Sequence, residues 1–476
     1  MGHALSAANP SGRVYICGGQ YAERVALASG ATANLYGGFS CPGFALDDDA
    51  SSATLDAAAS TNVGAPSWAP GGPATIFSPP TYDPTNNWVL AVDGVASVTI
   101  QNVQFVAPTP SGTDAAGNGN SSFAAVVIGS SVQFVGDTIT AGRGVDGSPG
   151  PGGAASSNYS EPIAAAGTPA SAGEANAAPG GTQTCANQDS SQGGAGADNM
   201  SGSPPYTFIQ PTAGSAVPEP PPVTDAGLPH DDGLPGPTGQ LTTTNPVANA
   251  AVLPGDPGAY GQPGPAGSSA TTLGALTSTT SSASWTPTGG GSGAAGGPGQ
   301  GGGGGAGLDP NTQPSVGGGG GAGGCGGTGG GGGAGGGASV ALLSIQSSLT
   351  LTGCTVITGG GGSGGTGGTG QDGQAGGAGG AGLNDNGGGS GGNGAGGSGG
   401  GGGTGGLSAG IVFQGSAPPT VESCTFIVAD PGHGGPGGPP GSEGKPWSGS
   451  PGTAGLDEFG VYDAGLGSVK SVLQLF

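Results

Sequence analysis

Few residues in this chain are of types that do chemistry, and their spacing argues against most of it. His3, His230 and His433 lie in low-complexity surroundings, with neither a Ser/His/Asp nor a zinc-ligand spacing around them. Asp137 and Arg143, near one expected strand end, come nearest to the acid-plus-arginine set of a polysaccharide lyase or hydrolase. The plainer expectation is a turn-capping Asp and a solvated Arg. Asp47, Asp48 and Asp49 cluster oxygens of the kind calcium takes, yet no second acidic cluster follows at ligand spacing, so a solvated loop is expected. Residues 367–374, GGTGQDGQ, half-match the calcium-binding nonapeptide GGxGxDxUx, but Gln374 stands where an apolar residue is required and there is one copy. The expectation is no enzyme, no metal and no cofactor.

The six cysteines divide by position. Cys17 and Cys41 flank the first coil, where a disulfide and buried thiols are both open. Cys185 and Cys325 lie in one large insertion that a disulfide between them would staple. Cys354 and Cys424 occupy equivalent places in two repeats, and a ladder of buried thiols is expected there. An even number of cysteines fits an oxidising compartment.

Composition limits what can position these groups. Of 476 residues, 118 are Gly and 42 are Pro, while 33% are hydrophobic and 7% charged, so one large conventional core is not expected. A formal charge of −23, with only Arg13, Arg24, Arg143, Lys445 and Lys470 basic, excludes nucleic acid as a partner and disfavours anionic lipid. No stretch approaches the roughly 18 apolar residues of a membrane span. The opening MGHALSAANPSGR lacks a basic region followed by an apolar one, so export by another route, or a leader removed before this numbering, is expected.

Short β-prone runs alternate with Gly turns over 12–60, where Tyr21, Tyr36 and Phe39 are expected in the core. Residues 50–84 read as a Pro/Ser/Ala-rich loop anchored by Trp68. Four later segments then superpose: 96–108, 130–142, 347–359 and 417–430. Val98, Ile100 and Phe105 match Val132, Phe134 and Ile139, then Leu349, Leu351 and Val356, with Val421 and Phe426 continuing. Apolar runs at 88–92, 123–128, 340–345 and 409–413 precede them. Period-2 runs repeated in one direction predict an all-β fold with a short right-handed parallel β-helix as its spine, an antiparallel sandwich being the alternative. All long insertions are expected to leave from the corner after Ala107, Ala141, Thr358 and Ala429.

The implied organisation is a first coil or cap (1–60), rungs with Pro/Ser-rich loops (61–141), a Gly/Pro-rich insertion (142–338), a rung (339–358), a glycine arm (359–406), a rung (407–429), a second arm (430–457) and a terminal strand (458–476). Within the arms, Ser363, Thr366, Thr369, Asp372, Ala375, Ala378 and Ala381 recur every third residue, as do His433, Pro436, Pro439 and Ser442. A three-residue period suits polyglycine II, the polyproline II geometry without side chains, which has no internal hydrogen bonds. Pairing between chains would supply them. Reversals are expected at Leu308 and Asp309, at Leu383 and Asn384, and at Leu456 and Asp457.

Residues 21–41, with Tyr21, Glu23, Val25 and Leu27 followed by Leu35 to Cys41 in the pattern YxExVxLxSG…LYGGFxC, resemble secreted glycine-rich (PGRS-like) β-helical surface proteins of myxobacteria and related bacteria. The Gly-Gly-X arms resemble the polyglycine II bundles of snow flea antifreeze proteins and of phage adhesin tips. The resemblance implies a secreted protein at the cell surface.

The C-terminal SVKSVLQLF alternates like one more strand, placing Val469, Val472, Leu473, Leu475 and Phe476 on an edge suited to association. The function expected is a non-enzymatic extracellular structural protein that associates with itself into a cell-surface layer, sheath or filament through β-helix ends and polyglycine arms. The alternatives are an adhesin binding surface glycans, and ice binding through Thr328, Thr366 and Thr369.

Overall fold

The computed structural model describes residues 12–31, 34–40, 67–68, 74–153, 159–171, 177–199, 208–209, 212–217, 255, 257–258, 260–270, 274–279, 282–305, 316–383, 386–415, 418–442, 453 and 472–475. They are all-β, with no α-helix among them and with mostly parallel sheets. The first strands are β1 (Arg13–Cys17), β2 (Gly19–Tyr21), β3 (Val25–Leu27), β4 (Asn34–Ser40), β5 (Ser67–Trp68), β6 (Thr75–Phe77) and β7 (Leu90–Asp93). There follow β8 (Val98–Gln101), β9 (Val103–Val106), β10 (Ser122–Ile128), β11 (Ser131–Val135) and β12 (Thr138–Thr140). The large insertion carries short antiparallel pieces: β13 (Thr182–Thr184), β14 (Ser190–Gln192), β15 (Asp198–Asn199), β16 (Phe208–Ile209), β17 (Ser215–Val217), β18 (Ala275–Thr279) and β19 (Ser282–Thr286). The last are β20 (Ser339–Ile345), β21 (Ser348–Thr352), β22 (Thr355–Ile357), β23 (Ser408–Gln414), β24 (Thr420–Glu422), β25 (Thr425–Ile427) and β26 (Val472–Leu475).

Three sheets take these strands in rotation. The first runs β1-β4-β8-β11-β21-β24, the second β2-β6-β9-β12-β22-β25 and the third β3-β7-β10-β20-β23-β26, all parallel, with β5 added antiparallel to β4. The chain visits first, second and third sheet, then begins again. Its registers are those of the superposed sequence segments: Val132 faces Val98 and Leu349, Phe134 faces Ile100 and Leu351, and Ile139 faces Phe105 and Val356. Leu351 faces Val421 and Val356 faces Phe426.

Alternation follows from a sheet with one face turned to a core. In β8, Val98 and Ile100 are buried while Thr99 and Gln101 face out; β11 repeats this with Val132 and Phe134. The inward residues of the three sheets form one core, where Phe77 and Phe105 stack with centroids 5.8 Å apart. The third sheet differs, because β10, β20 and β23 are buried on both faces. Its outer face packs Phe123, Val126, Val340, Leu343, Leu407 and Val412 against Ala283 and Trp285 of β19, and the indole donates to the Gly336 carbonyl at 3.3 Å.

Four turns between sheets carry one left-handed residue each. Asn102, Gly136, Gly353 and Ser423 have φ between 54° and 65° at the turn from first to second sheet. Gly reaches that region without the crowding a Cβ suffers there.

Three sequence expectations are corrected. The region 50–84 is more than a loop, because β6 contributes a strand of the second sheet and Phe77 is wholly buried. Insertions after β12, β22 and β25 share one corner, but 41–74 leaves from another, between first and second sheet. The insertion 142–338, read as Gly/Pro-rich polyglycine, also carries antiparallel strands, β13 to β19, that pair within it.

Candidate functional site: a glycine lattice and the faces around it

Beyond β12, β22 and β25 the chain carries glycine segments that bond to one another. From Gly362 N–H to Gly337 C=O, and at every third residue to Gly380 N–H and Gly319 C=O, segment 359–382 donates to segment 316–337 at 2.7–2.9 Å. Segment 386–406 donates back to 359–382 in the same rhythm, Gly388 to Gly380 through Gly406 to Gly362. A second row of 386–406 donates to segment 287–305, Gly389 to Gly303 through Thr404 to Thr288. Segment 386–406 also accepts from Gly318 through Gly336 and from Gly255, Gly258, Gly261 and Gly267, while Gly406, Gly403, Gly400 and Gly397 accept from Gly432, Gly435, Gly438 and Gly441. One segment thus bonds to five others, and its Gly402 N–H donates to Thr453 C=O as well. Extended backbone with no internal bonds requires such partners when buried.

The segments approach so closely that side chains are excluded. A Cβ built on Gly391 would overlap the Ala322 carbonyl, and one on Gly324 the Gln374 carbonyl. Glycine content tracks the number of neighbours. Segment 386–406, buried from 391 onward apart from half-buried Asn393, is glycine except for Asn386, Ser390, Asn393, Ala395, Ser398 and Thr404. Ser398 and Thr404 are fully buried, and their hydroxyls donate to Gly264 C=O at 2.6 Å and Thr288 C=O at 3.0 Å. Segment 359–382 exposes one row, in which Thr366, Thr369, Asp372, Ala378 and Ala381 face solvent. At the rim, 255–270 keeps Gly only every third residue, and 430–442 turns His433, Pro436, Pro439 and Ser442 outward.

Among the described residues these segments find their backbone partners within one chain. Thr328 does not join Thr366 and Thr369 in an exposed array, since its hydroxyl donates to Gln371 Oε1 at 2.9 Å. Gln374 is fully buried, accepting from Cys325 N–H at 2.9 Å and donating to Glu161 C=O at 2.8 Å. Both glutamines of the GGTGQDGQ stretch thus serve the lattice.

No protein-family model, curated protein or solved structure matches this chain. Its geometry is the available guide. Cys185 and Cys325 form a disulfide, with Cα atoms 5.7 Å apart. Cys17 is disulfide-bonded, and Cys41 lies outside the described residues. Cys354 and Cys424 are thiols in neighbouring circuits, with Cys354 N–H donating to Cys424 Sγ at 3.3 Å; burial pushes the Cys354 thiol up to about 12.

Asp137 sits one circuit before Cys354 and is buried, its Oδ1 accepting from Val103 N–H at 2.7 Å and its Oδ2 from Val135 N–H at 2.9 Å. Burial pushes this carboxyl well above the usual carboxylate range. Arg143 pairs instead with Asp146 at 2.9 Å on the surface. The two have different partners and different surroundings. Among the described residues no group of three or more His, Cys, Asp or Glu is placed to hold a metal ion, and no helix is long and apolar enough to cross a membrane.

Of the expected reversal residues, Leu383 donates its N–H to Val316 C=O at 3.2 Å. Leu308, Asp309, Asn384, Leu456 and Asp457 lie outside the described residues, as do Asp47, Asp48, Asp49, His3 and His230. In the terminal strand, Val472, Leu473 and Leu475 belong to β26, which pairs with β23; Val469 and Phe476 fall outside. Residues 458–468 are outside too.

Proposed function

We propose that this chain is a secreted, non-enzymatic structural protein of a cell surface, sheath or filament, with a right-handed parallel β-helix as spine and a polyglycine II bundle as arm. Copies associate end to end through the spine. The observation that carries this reading is the end formed by β24 and β25. Val421, Cys424 and Phe426 there are only half-buried against the core, Ile427 is 54% exposed, and among the described residues no further strand continues those two sheets. Unpaired strand edges over apolar side chains template association.

The lattice rim supports an internal role for the arms. Its outward rows carry side chains or proline, and Pro436 and Pro439 have no N–H to offer a second molecule. Two disulfide-bonded sites, Cys185–Cys325 and Cys17, support an oxidising compartment. The one-directional circuits and the three-residue bonding period support the two conformations named.

Sedimentation velocity and electron microscopy over rising concentration test the proposal. Linear oligomers one molecule wide are expected. Phe426→Asp with Ile427→Asp is expected to leave monomers, whereas Thr366→Asp on the arm leaves assembly unchanged. A wild-type chain that stays monomeric at high concentration overturns it.

A further inference from the structure

The outer face of the first sheet differs from its surroundings in chemistry. Tyr15 stands opposite Tyr36, Tyr36 opposite Gln101, and Gln133 opposite Thr350, so outward side chains stack from circuit to circuit. In a chain of net charge −23, this stripe from Asn34 to Thr352 is uncharged, with Arg13 and Glu422 only at its ends. At ~4.8 Å per strand, the distance from Tyr15 to Thr352 is about 19 Å.

Its first two circuits are aromatic. Tyr15 is 47% exposed, and its ring lies 5.6 Å from that of Tyr36 at an interplanar angle of 30°. Phe39, buried, meets Tyr15 edge-on at 5.0 Å and steadies it. Tyr36 and Phe39 also line a surface depression with Gly37, Gln101 and Asn102. A Cβ on Gly37 would run into Asn102 and Thr75, so the bare backbone there is required by packing and leaves the depression open.

Aromatic faces with amide side chains beside them suit one ligand class. The C–H faces of a pyranose stack on a ring, and an amide, which both donates and accepts, matches a pair of adjacent hydroxyls. An acidic polysaccharide would be repelled by the net charge, and Arg13, the cation at the end of the stripe, is engaged by the Tyr15 side chain. We infer that the outer face of the first sheet is a binding site for a neutral linear polysaccharide, with sugars stacked on Tyr15 and Tyr36 and hydroxyls bonded by Gln101 and Gln133.

Calorimetric titration of the full chain with cellohexaose, chitohexaose and maltohexaose, and with hexagalacturonate as the anionic comparison, tests this. At least one neutral hexasaccharide is expected to bind at micromolar to millimolar concentration. Tyr15→Ala is expected to weaken that binding about tenfold and to lower the melting temperature slightly through the lost ring contacts, whereas Gln133→Ala weakens binding several-fold with unchanged melting temperature because its side chain is exposed. Absence of binding by all three neutral probes overturns the proposal. So does binding of hexagalacturonate alone, or binding that Tyr15→Ala and Gln133→Ala leave intact. Because neither substitution touches β24 or β25, assembly and sugar binding are read separately.

Discussion

The spine and the glycine lattice are both hydrogen-bonded arrays of extended chain, but they exclude water by opposite means. In the spine, side chains fill the space between three sheets, and Phe105, Phe134, Ile139 and Leu351 are fully buried. In the lattice, the backbone itself fills the space, and segment 391–406 is buried with few side chains. Apolar burial stabilises the first by roughly 25 cal/mol per Å². The second rests on backbone bonds, each contributing about 1 kcal/mol net, against the high entropy of unfolded glycine. The comparison teaches that the spine should tolerate changes of shape but not loss of volume, and the lattice neither gain of a methyl group nor loss of a bond.

The sharpest break comes inside the lattice. Gly391→Val places branched carbons on the Ala322 carbonyl and is expected to destabilise the protein by about 4 kcal/mol or more, with amide exchange accelerated at Gly377 and Gly391. Thr366→Val, on the exposed row of the neighbouring segment, is expected to stay within about 0.5 kcal/mol. Equal effects would refute the close-packed lattice. In the spine, Phe105→Ala is expected to cost about 3–5 kcal/mol in urea unfolding, whereas Phe105→Leu costs markedly less.

A pH titration separates the two regions further. Burial raises the folded-state pKa of Asp137, so the folded chain holds that proton more tightly than the unfolded chain does. Its stabilising contribution is full below the ordinary carboxylate value of about 4 and is lost as pH rises through the raised value. Stability of Asp137→Asn relative to wild type should therefore grow with pH above about 4, and parallel curves would remove the linkage. A smaller effect than in the core belongs to a corner. Gly353, at φ 63° with open space around its Cα, is expected to cost about 1–2 kcal/mol as Gly353→Ala, from backbone strain alone.

The circuits were legible in the sequence because alternation leaves a period that survives long insertions. Val132 could be matched to Leu349 across more than two hundred residues by pattern alone. β6 was hidden because three residues, Thr75 to Phe77, among prolines and serines carry no period. The cover over the third sheet was also missed, since Trp285 stands singly in a run of Ser and Thr. The signal lay on the other side, in the unbroken apolar runs of β10, β20 and β23, which mark a sheet buried on both faces. Closure of the lattice within one chain was written in the rows. Segments 255–270 and 430–442 keep side chains outward, where a glycine face would have invited another molecule.

Arms and spine are also linked by count. Ala141 N–H bonds Ile357 C=O, and Gly144, Gly147, Gly150 and Gly153 continue to Gly360, Ser363, Thr366 and Thr369 at the same residue offset. Likewise Gly336 to Thr404 runs without a slip into Ser339 to Leu407. The lattice therefore has a reading frame of three, set where each arm leaves its strand. A single-residue deletion between Gly389 and Gly403 would carry the side chains on one side of it, such as Ser398 and Thr404, into rows that glycine fills, while a three-residue deletion would only shorten the segment. Lengths of such arms can then drift in steps of three, much as coding sequence does, and for the same reason of phase.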